Sequence, residues 1–318
     1  MSIKIALLGF GTVGKGTYTV LTENADIIEK KTGKRIEVAK ILERNLQTIE
    51  SGFAPKELFT QDYDSILADP EIKVVAEMMG GIEPASSFML RALKAGKHVV
   101  TPNKAAVAAN YDILHRTAQE HGARIKYEAS VGGAIPVIET INNSLVANKI
   151  MKVEGIVNGT TNYILTKMEE ENLSYAQALK QAQDQGFAEA DPTADVEGID
   201  AANKLTILMA EAFGVYIKPN GFERTGITQL TRDDLRLAVQ HGCKLKLIAS
   251  AERKADGSIE AFVKPTEVPS DSPLASVRNE FNGILLTCNM ADKIFLSGRG
   301  AGKDPTGSAV AADIVSLA

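Results

Sequence analysis

Short apolar runs alternate with segments of helical spacing along the first 130 residues. The apolar runs predict buried strands at residues 3–8, 36–42, 73–79, 98–101 and 125–129. The intervening spacing predicts helices near residues 13–30, 84–94 and 104–120. Strands and helices that alternate in this way predict an α/β fold built on a Rossmann-type, doubly wound parallel sheet.

The middle of the chain loses this alternation. Strands are predicted at residues 150–157 and 259–265, and helices at 162–171, 174–185, 198–213 and 233–240. We therefore predict a second, α+β domain in this region. A strand at 293–296 and a terminal helix at 306–317 follow it.

Composition and charge exclude several classes of protein. A chain of 318 residues is long enough for about two domains, and 44% hydrophobic with 24% charged residues is typical of globular proteins. The net charge of −5 and the lack of a basic block argue against a nucleic-acid partner. No apolar run approaches about 18 residues, so no membrane segment is predicted. Only two cysteines occur, which favours a reducing, cytoplasmic location.

A glycine motif follows the first predicted strand and opens the first predicted helix. It reads Gly9-Phe10-Gly11-Thr12-Val13-Gly14 and matches G-x-G-x-x-G. The first glycine permits the tight turn, the second lets a pyrophosphate approach the backbone, and the third allows close helix–strand packing. An ordinary tight turn is the alternative, but the position in a βαβ unit favours nucleotide binding by about four to one.

The residues after the second strand bear on the coenzyme. An acidic residue there would bond the ribose 2′-hydroxyl of NAD, whereas an arginine would accommodate the 2′-phosphate of NADP. Glu43 and Arg44 are both present. Arg44 leads into the following loop and favours NADP, with NAD and a plain solvated ion pair as the alternatives.

Two lysines are candidates for chemistry. Asp200 and Lys204 are four residues apart on a predicted helix, so they share a face, and the carboxylate stabilises the charged, proton-donating ammonium. Spacing alone favours a surface ion pair by about nine to one. Lys104 follows Pro102 in the first turn of a helix at the carboxyl edge of the sheet, where ligands bind. A solvated lysine is the alternative there.

Five segments in this order and spacing resemble homoserine dehydrogenase over nearly the whole chain. They are the glycine motif, Thr101-Pro102-Asn103-Lys104, residues 128–136, Asn158-Gly159-Thr160-Thr161-Asn162 and residues 186–204. The resemblance implies reversible NAD(P)H-dependent reduction of L-aspartate 4-semialdehyde to L-homoserine, a step toward threonine, methionine and isoleucine.

The resemblance also implies roles for individual residues. Lys204 and Lys104 would be catalytic, with Lys204 as the proton donor and acceptor. The substrate would be bound by Glu189, Asp200, Asp195, Gly159 and Thr160. The coenzyme would contact Gly9, Phe10, Gly11, Thr12, Val13, Gly14, Arg44, Gly80, Lys104, Gly186, Glu189 and Gly302.

A monovalent cation, most simply sodium, is implied as well. The Glu128 carboxylate and the carbonyl groups of Val131, Gly133 and Ile135 would be its ligands, and oxygen ligands suit a hard cation. Ala134 stands where the family often has a third glycine. The alternative is a glycine-rich connection between the two domains.

The resemblance further implies a discontinuous first domain. Residues 1–134 and 290–318 would bind the nucleotide, and residues 135–289 would bind the substrate and form a two-fold homodimer. The chain shows no ACT or aspartate kinase module, so threonine feedback through an ACT domain is expected to be absent. The expected partner is a small-molecule substrate, with no nucleic acid and no membrane.

Two other functions compete with this interpretation. The first is a related NAD(P)-dependent reductase that acts on another small amino acid or aldehyde. The second is a nucleotide-sensing protein without chemistry, against which the intact set Lys104, Glu189, Asp200 and Lys204 argues.

Overall fold

The chain divides into two compact units. The computed structural model describes residues 2–318, apart from the side chain of Leu46, so Met1 of the predicted nucleotide-binding domain lies outside the described residues. The first unit comprises the residues up to Ala134 together with Ala301–Ala318, and the second comprises Ile135–Gly300.

The first unit is built on a six-stranded sheet. Its strands are β1 (Ser2–Leu8), β2 (Arg35–Leu42), β3 (Phe59–Thr60), β4 (Ile72–Glu77), β5 (His98–Val100) and β6 (Ile125–Lys126). All neighbours are parallel, in the order β3-β2-β1-β4-β5-β6. This order confirms the predicted Rossmann-type fold.

The second unit contains a mixed sheet. Its strands are β7 (Ile150–Ile156), β8 (Glu223–Arg224), β9 (Cys243–Arg253), β10 (Ile259–Pro269), β11 (Phe281–Cys288) and β12 (Lys293–Arg299). They lie in the order β12-β11-β7-β9-β10-β8, and every pair is antiparallel except β10 with β8. The predicted α+β character of this region is confirmed.

Helices accompany both sheets. Those of the first unit are α1 (Thr12–Glu23), α2 (Ala25–Thr32), α3 (Leu46–Glu50), α4 (Tyr63–Ala68), α5 (Ala85–Lys94), α6 (Lys104–Glu120) and α13 (Lys303–Leu317). Those of the second are α7 (Val137–Glu139), α8 (Gly159–Glu170), α9 (Tyr175–Asp184), α10 (Thr193–Val196), α11 (Ile199–Phe213) and α12 (Arg232–Gln240). Within residues 2–318, none of these helices has the length and apolar character needed to cross a bilayer.

The first sheet is buried on both faces because successive side chains of a strand point in opposite directions. Ile5 and Leu7 of β1 belong to an apolar cluster that includes Val310 of α13. Ala6 and Leu8 belong to a second cluster on the other face, with residues of α5 and α6. A continuous apolar run of this kind is typical of the central strand of a parallel sheet.

Helices α1 and α13 touch through glycines. A Cβ atom on Gly307 would lie 2.5 Å from the carbonyl carbon of Gly16. A Cβ atom on Gly16 would lie 2.2 Å from the carbonyl oxygen of Lys303. Because no side chain fits at either position, the two backbones come into direct contact.

Two sequence predictions differ from the observed fold. The helix predicted at residues 13–30 is two helices, because Asn24 departs from helical geometry (φ −100°, ψ 14°). The return to the first unit was expected from residue 290, but β12 pairs with β11 from Phe281↔Arg299 to Thr287↔Lys293. This ladder keeps residues 290–300 in the second unit, and the return begins at Ala301.

Candidate active site

The glycine motif forms a tight turn between β1 and α1. Gly9 has a positive φ of 91°, and a Cβ on it would lie 2.9 Å from the carbonyl oxygen of Met78. A Cβ on Gly14 would lie 2.3 Å from the carbonyl oxygen of Gly9. Gly11 has open space around it and precedes α1 without a side-chain cap. The first amides of α1 can therefore receive an anionic group.

A cleft of about 470 Å³ opens at the carboxyl ends of β1, β2 and β4. In a sheet of this strand order, the crevice beside β1 is where dinucleotides bind. Its lining brings together several of the predicted coenzyme residues, namely Gly9, Phe10, Gly11, Arg44 and Gly80. Thr12, Val13 and Gly14 continue from this lining as the first turn of α1.

Glu43 and Arg44 have different surroundings in this cleft. Glu43 Oε2 accepts a hydrogen bond from the Phe10 amide at 2.9 Å, and its Oε1 accepts from the amides of Arg44 (2.8 Å) and Asn45 (2.9 Å). The carboxylate therefore holds the main chain of the turns that follow β1 and β2. The side chain of Arg44 is exposed and lines the cleft.

Lys104 is the first residue of α6, as predicted. Asn103 precedes it and caps the helix, because its Oδ1 accepts from the Ala106 amide at 3.1 Å. The Lys104 amide donates to the Pro102 carbonyl at 3.0 Å. The Lys104 side chain is half-buried, so the alternative of a fully solvated lysine does not hold.

The second unit gathers Asn158, Asp195, Asp200 and Lys204 into one polar cluster. Lys204 Nζ donates to Asp200 Oδ2 at 2.7 Å and to the carbonyl oxygen of Val157 at 2.6 Å. Asn158 Nδ2 donates to Asp195 Oδ1 at 2.6 Å and to Asp200 Oδ2 at 2.9 Å. The structure thus brings three of the predicted residues together around an asparagine.

The pair of Lys204 and Asp200 is buried, with exposed fractions of only 8% and 6%. The surface ion pair that the spacing favoured is therefore wrong. A buried ion pair adds little net stability, since desolvation offsets the attraction between the charges. Net stabilisation therefore does not by itself explain why the pair is buried.

The turn that follows α9 lies beside the start of α8. Thr160 Oγ1 donates to the Phe187 carbonyl at 2.7 Å, which fixes this turn next to the second residue of α8. Gly186 and Glu189 stand on either side of Phe187, and both are exposed. A Cβ on Gly159 would lie 2.6 Å from the Glu280 carbonyl oxygen, so the start of α8 has room only for glycine.

The remaining predicted residues lie near the two junctions between the units. Gly302 precedes α13 with a φ of 122°. Glu128 and Val131 are buried, and Gly133 follows Gly132 with both in the left-handed region (φ 59° and 76°). Ile135 is also buried and is the first residue of the second unit. Among residues 2–318, no cluster of three or more His, Cys, Asp or Glu side chains could hold a metal ion.

A second lysine is buried in the same unit as Lys204. Lys246 Nζ donates to Asn162 Oδ1 at 2.9 Å and to the Val277 carbonyl at 2.7 Å. Burial lowers the pKa of the Lys246 ammonium to about 8, and the nearby Glu169 carboxylate opposes this shift only in part. The charged form is therefore less favourable in the folded chain than in the unfolded one.

This pKa predicts a stability that rises with pH. Between about pH 8 and 10.5 Lys246 is protonated in the unfolded chain but largely neutral in the folded one. Its contribution to the free energy of unfolding therefore rises by up to about 1.4 kcal/mol per pH unit. Urea unfolding of the wild type and of Lys246→Met at pH 7.5 and 9.5 measures this gain. The free energy of unfolding of the wild type, relative to that of the variant, should be larger at pH 9.5 than at pH 7.5. A difference that is constant or smaller at pH 9.5 would contradict the prediction.

Sequence reasoning missed several contributors to this geometry. The Val157 carbonyl carries no sequence signal, because every residue has one. Asn158 had a signal, since it precedes a helix and caps α8 by accepting from the Thr161 amide at 2.8 Å. Its second role, as the bridge between Asp195 and Asp200, appears only in three dimensions.

Comparison with known proteins gives consistent results for both units. Residues 136–315 match a family model described as homoserine dehydrogenase, and residues 9–128 match the NAD-binding domain of homoserine dehydrogenase. Homoserine dehydrogenase of Synechocystis is 41% identical over 100% of this chain and 73% of its own length.

Solved structures agree with these matches. A homoserine dehydrogenase structure from Thiobacillus denitrificans superposes with a TM-score of 0.96 at 42% identity, covering 100% of this chain and 73% of that one. A hyperthermophilic archaeal homoserine dehydrogenase in complex with NADPH has a TM-score of 0.83 at 28% identity, covering 100% and 98%.

Proposed function

The chain belongs to the homoserine dehydrogenase family, and on that premise we propose how its residues carry out the reaction. It is an NAD(P)-dependent oxidoreductase. Reduction of L-aspartate 4-semialdehyde to L-homoserine adds a hydride to the aldehyde carbon and a proton to its oxygen. The bound nicotinamide coenzyme supplies the hydride, and the protein must supply the proton and hold the substrate.

Lys204 is the proposed proton donor in the reduction and the proton acceptor in the oxidation. The observation that supports this role is its buried position between Asp200 Oδ2 and the Val157 carbonyl oxygen. Both partners are hydrogen-bond acceptors, so they hold the lysine as a donor. The proton leaves Nζ for the forming alkoxide oxygen, and solvent restores it after each turnover.

The carboxylates of the second unit are the proposed binding site for the substrate's own ammonium group. Asp195 and Asp200 are joined through Asn158, and Glu189 stands on the turn held by Thr160. An α-amino acid brings a positive charge that carboxylates recognise. Gly159 and Thr160 at the start of α8 are proposed to line the substrate pocket through their main chain and hydroxyl group.

The proposed coenzyme is NADP. The glycine turn and Gly80 would hold its phosphates and ribose, and Arg44 would meet the 2′-phosphate. Support comes from Glu43, whose carboxylate already accepts three main-chain amides and is poorly placed to accept a ribose hydroxyl. NAD remains the alternative coenzyme.

Lys104 at the start of α6 is the proposed second catalytic lysine.

Removal of the Arg44 charge should weaken NADP selectively. Arg44→Ala is expected to raise the KM for NADP by about 10- to 100-fold, the value of a charge-assisted hydrogen bond, with less than about threefold change for NAD. Arg35→Ala is the matched control, because Arg35 is an exposed arginine at the start of β2, whereas Arg44 follows the end of that strand. Equal changes for both coenzymes would contradict the prediction.

A monovalent cation, with sodium as the first candidate, is proposed at the loop of Glu128, Val131, Gly133 and Ile135. The donor set consists of a carboxylate and carbonyl oxygens, which is the chemistry that such ions prefer.

We also propose a homodimer formed by the second unit. Support comes from the edge strand β12, which carries the half-buried Ile294, Phe295 and Leu296.

The experiment that tests the proposed function is the initial rate of L-homoserine oxidation with NADP and with NAD, followed by nicotinamide absorbance. We expect oxidation with at least one coenzyme. A folded protein that binds NADPH but does not oxidise homoserine would overturn the assignment of substrate. In that case a panel of small amino alcohols and aldehydes would distinguish another reductase from a sensor.

A further inference from the structure

A buried carboxylate in the first unit has no part in the mechanism above. Glu77 ends β4 and is completely buried. A carboxylate in this environment is costly unless hydrogen bonds compensate it. Its partners therefore indicate why it is there.

Both oxygens of Glu77 accept hydrogen bonds. Oε1 accepts from the Met79 amide at 2.6 Å, and Oε2 accepts from the Thr101 hydroxyl at 2.6 Å. Thr101 Oγ1 in turn accepts from the Asn103 amide at 3.0 Å. Because the hydroxyl has a single hydrogen and already accepts from Asn103, that hydrogen must point to Glu77.

The chain of contacts returns to the loop that it started from. Asn103 Nδ2 donates to the Gly81 carbonyl at 2.6 Å, while its Oδ1 caps α6. Residues 78–81 are therefore held at Met79 by Glu77 and at Gly81 by Asn103. We call Glu77, Met79, Gly81, Thr101 and Asn103 the Glu77 network.

The loop held by this network lines the coenzyme cleft. Met78, Met79 and Gly80 form part of the lining, and Gly80 and Gly81 both have positive φ (77° and 72°). Two consecutive left-handed glycines leave a loop with many accessible conformations. The first glycine turn touches the same loop, since a Cβ on Gly9 would lie 3.2 Å from the Cα of Met79.

We propose that Glu77 is a positioning residue for the reaction, and this inference rests on the proposed function. Its hydrogen bond from the Met79 amide holds the 78–81 loop, which touches the glycine turn. Through Thr101 and Asn103, the same carboxylate sets the start of α6, where Lys104 lies. A single buried carboxylate thus positions both the loop that lines the cleft and the proposed catalytic residue Lys104.

The network requires a carboxylate rather than an amide. Met79 and Thr101 both donate, so Glu77→Gln can accept from only one of them and sets an N–H group against the other. Thr101→Val removes the hydroxyl that joins the two halves. Thr101→Ser keeps it.

The test compares these variants with a matched control. Thr117→Val makes the same substitution at a buried threonine of α6, thirteen residues beyond Lys104 and about 20 Å along the helix. NADPH affinity from nicotinamide fluorescence, kcat and KM for homoserine, and the unfolding temperature are measured for each protein.

We expect Thr101→Val and Glu77→Gln each to weaken NADPH binding or lower kcat by about tenfold, and the double variant to be little worse than either. Thr101→Ser should lie within about threefold of the wild type, as should Thr117→Val whatever its unfolding temperature. The proposal would be overturned if Thr101→Val lost only thermal stability, as the control is allowed to do. It would also be overturned if Thr101→Ser failed to retain NADPH binding and kcat.

Two arms keep the outcome decisive. If Glu77→Gln does not fold, the two Thr101 variants carry the test alone. If the wild type does not oxidise homoserine, the proposed function fails, but NADPH affinity still decides the role of the network.

Discussion

Lys204→Met is expected to lower kcat for homoserine oxidation by about 10³-fold, within the 10²- to 10⁴-fold range typical of general acid–base groups. The reason is the loss of the only group for which we propose a proton transfer with the substrate oxygen. NADPH affinity should stay within about threefold of the wild type, because no coenzyme contact is assigned to Lys204. Steady-state rates and nicotinamide fluorescence measure the two quantities.

The variant needs two controls. Removing Lys204 leaves the Asp200 carboxylate buried without its cation, which costs roughly 3–5 kcal/mol, so Lys204→Met/Asp200→Asn is the better-folded comparison. Lys246→Met removes another buried ammonium from the same unit and should keep nearly full activity. Lys204→Met that retains more than a tenth of the wild-type rate would refute the assigned role.

Gly14→Ala should weaken coenzyme binding strongly. Its Cβ would lie 2.3 Å from the carbonyl oxygen of Gly9, and backbone atoms cannot give way as a flexible side chain can. The turn must shift, so we expect NADPH affinity to fall by at least about 100-fold and the unfolding temperature to fall as well. Fluorescence titration and thermal unfolding report the two effects.

Gly11→Ala tests coenzyme binding separately from the stability of the fold. A Cβ on Gly11 meets nothing within 4 Å, and its φ of −74° suits alanine. The unfolding temperature should therefore be unchanged, while NADPH affinity falls roughly 10- to 100-fold because the methyl group enters the space of the pyrophosphate. Unaltered affinity would mean that the coenzyme phosphates lie elsewhere.

The sequence predicted the first unit better than the second. Five of the six strands of the Rossmann sheet are apolar enough to stand out, whereas the two-residue edge strand β3 is too short to give a pattern. The pattern did not reveal β9 or β11, which lie in the interior of the second sheet. Each pairs on one side with the next strand along the chain and on the other side with β7, which is distant in the chain. Local spacing contains no information about that distant partner.

The site shows the same limit at the level of single residues. The spacing of Asp200 and Lys204 gave their shared helix face, but burial decides what the pair does, and burial depends on the strands and helices around α11. The surroundings of Glu43 and Arg44 are likewise visible only in three dimensions, where Glu43 accepts three main-chain amides. Family resemblance supplied roles where physical pattern could not.

The contact between α1 and α13 bears on how the protein is made. During synthesis the ribosome completes residues 1–134 about 170 residues before α13 can dock on Gly16. At roughly 5–20 residues per second, α1 waits some 10–30 s for its partner. The second unit is continuous and can close its core during that interval. The first unit to be translated is therefore the last to be finished, and the apolar face that α13 covers stays open until then.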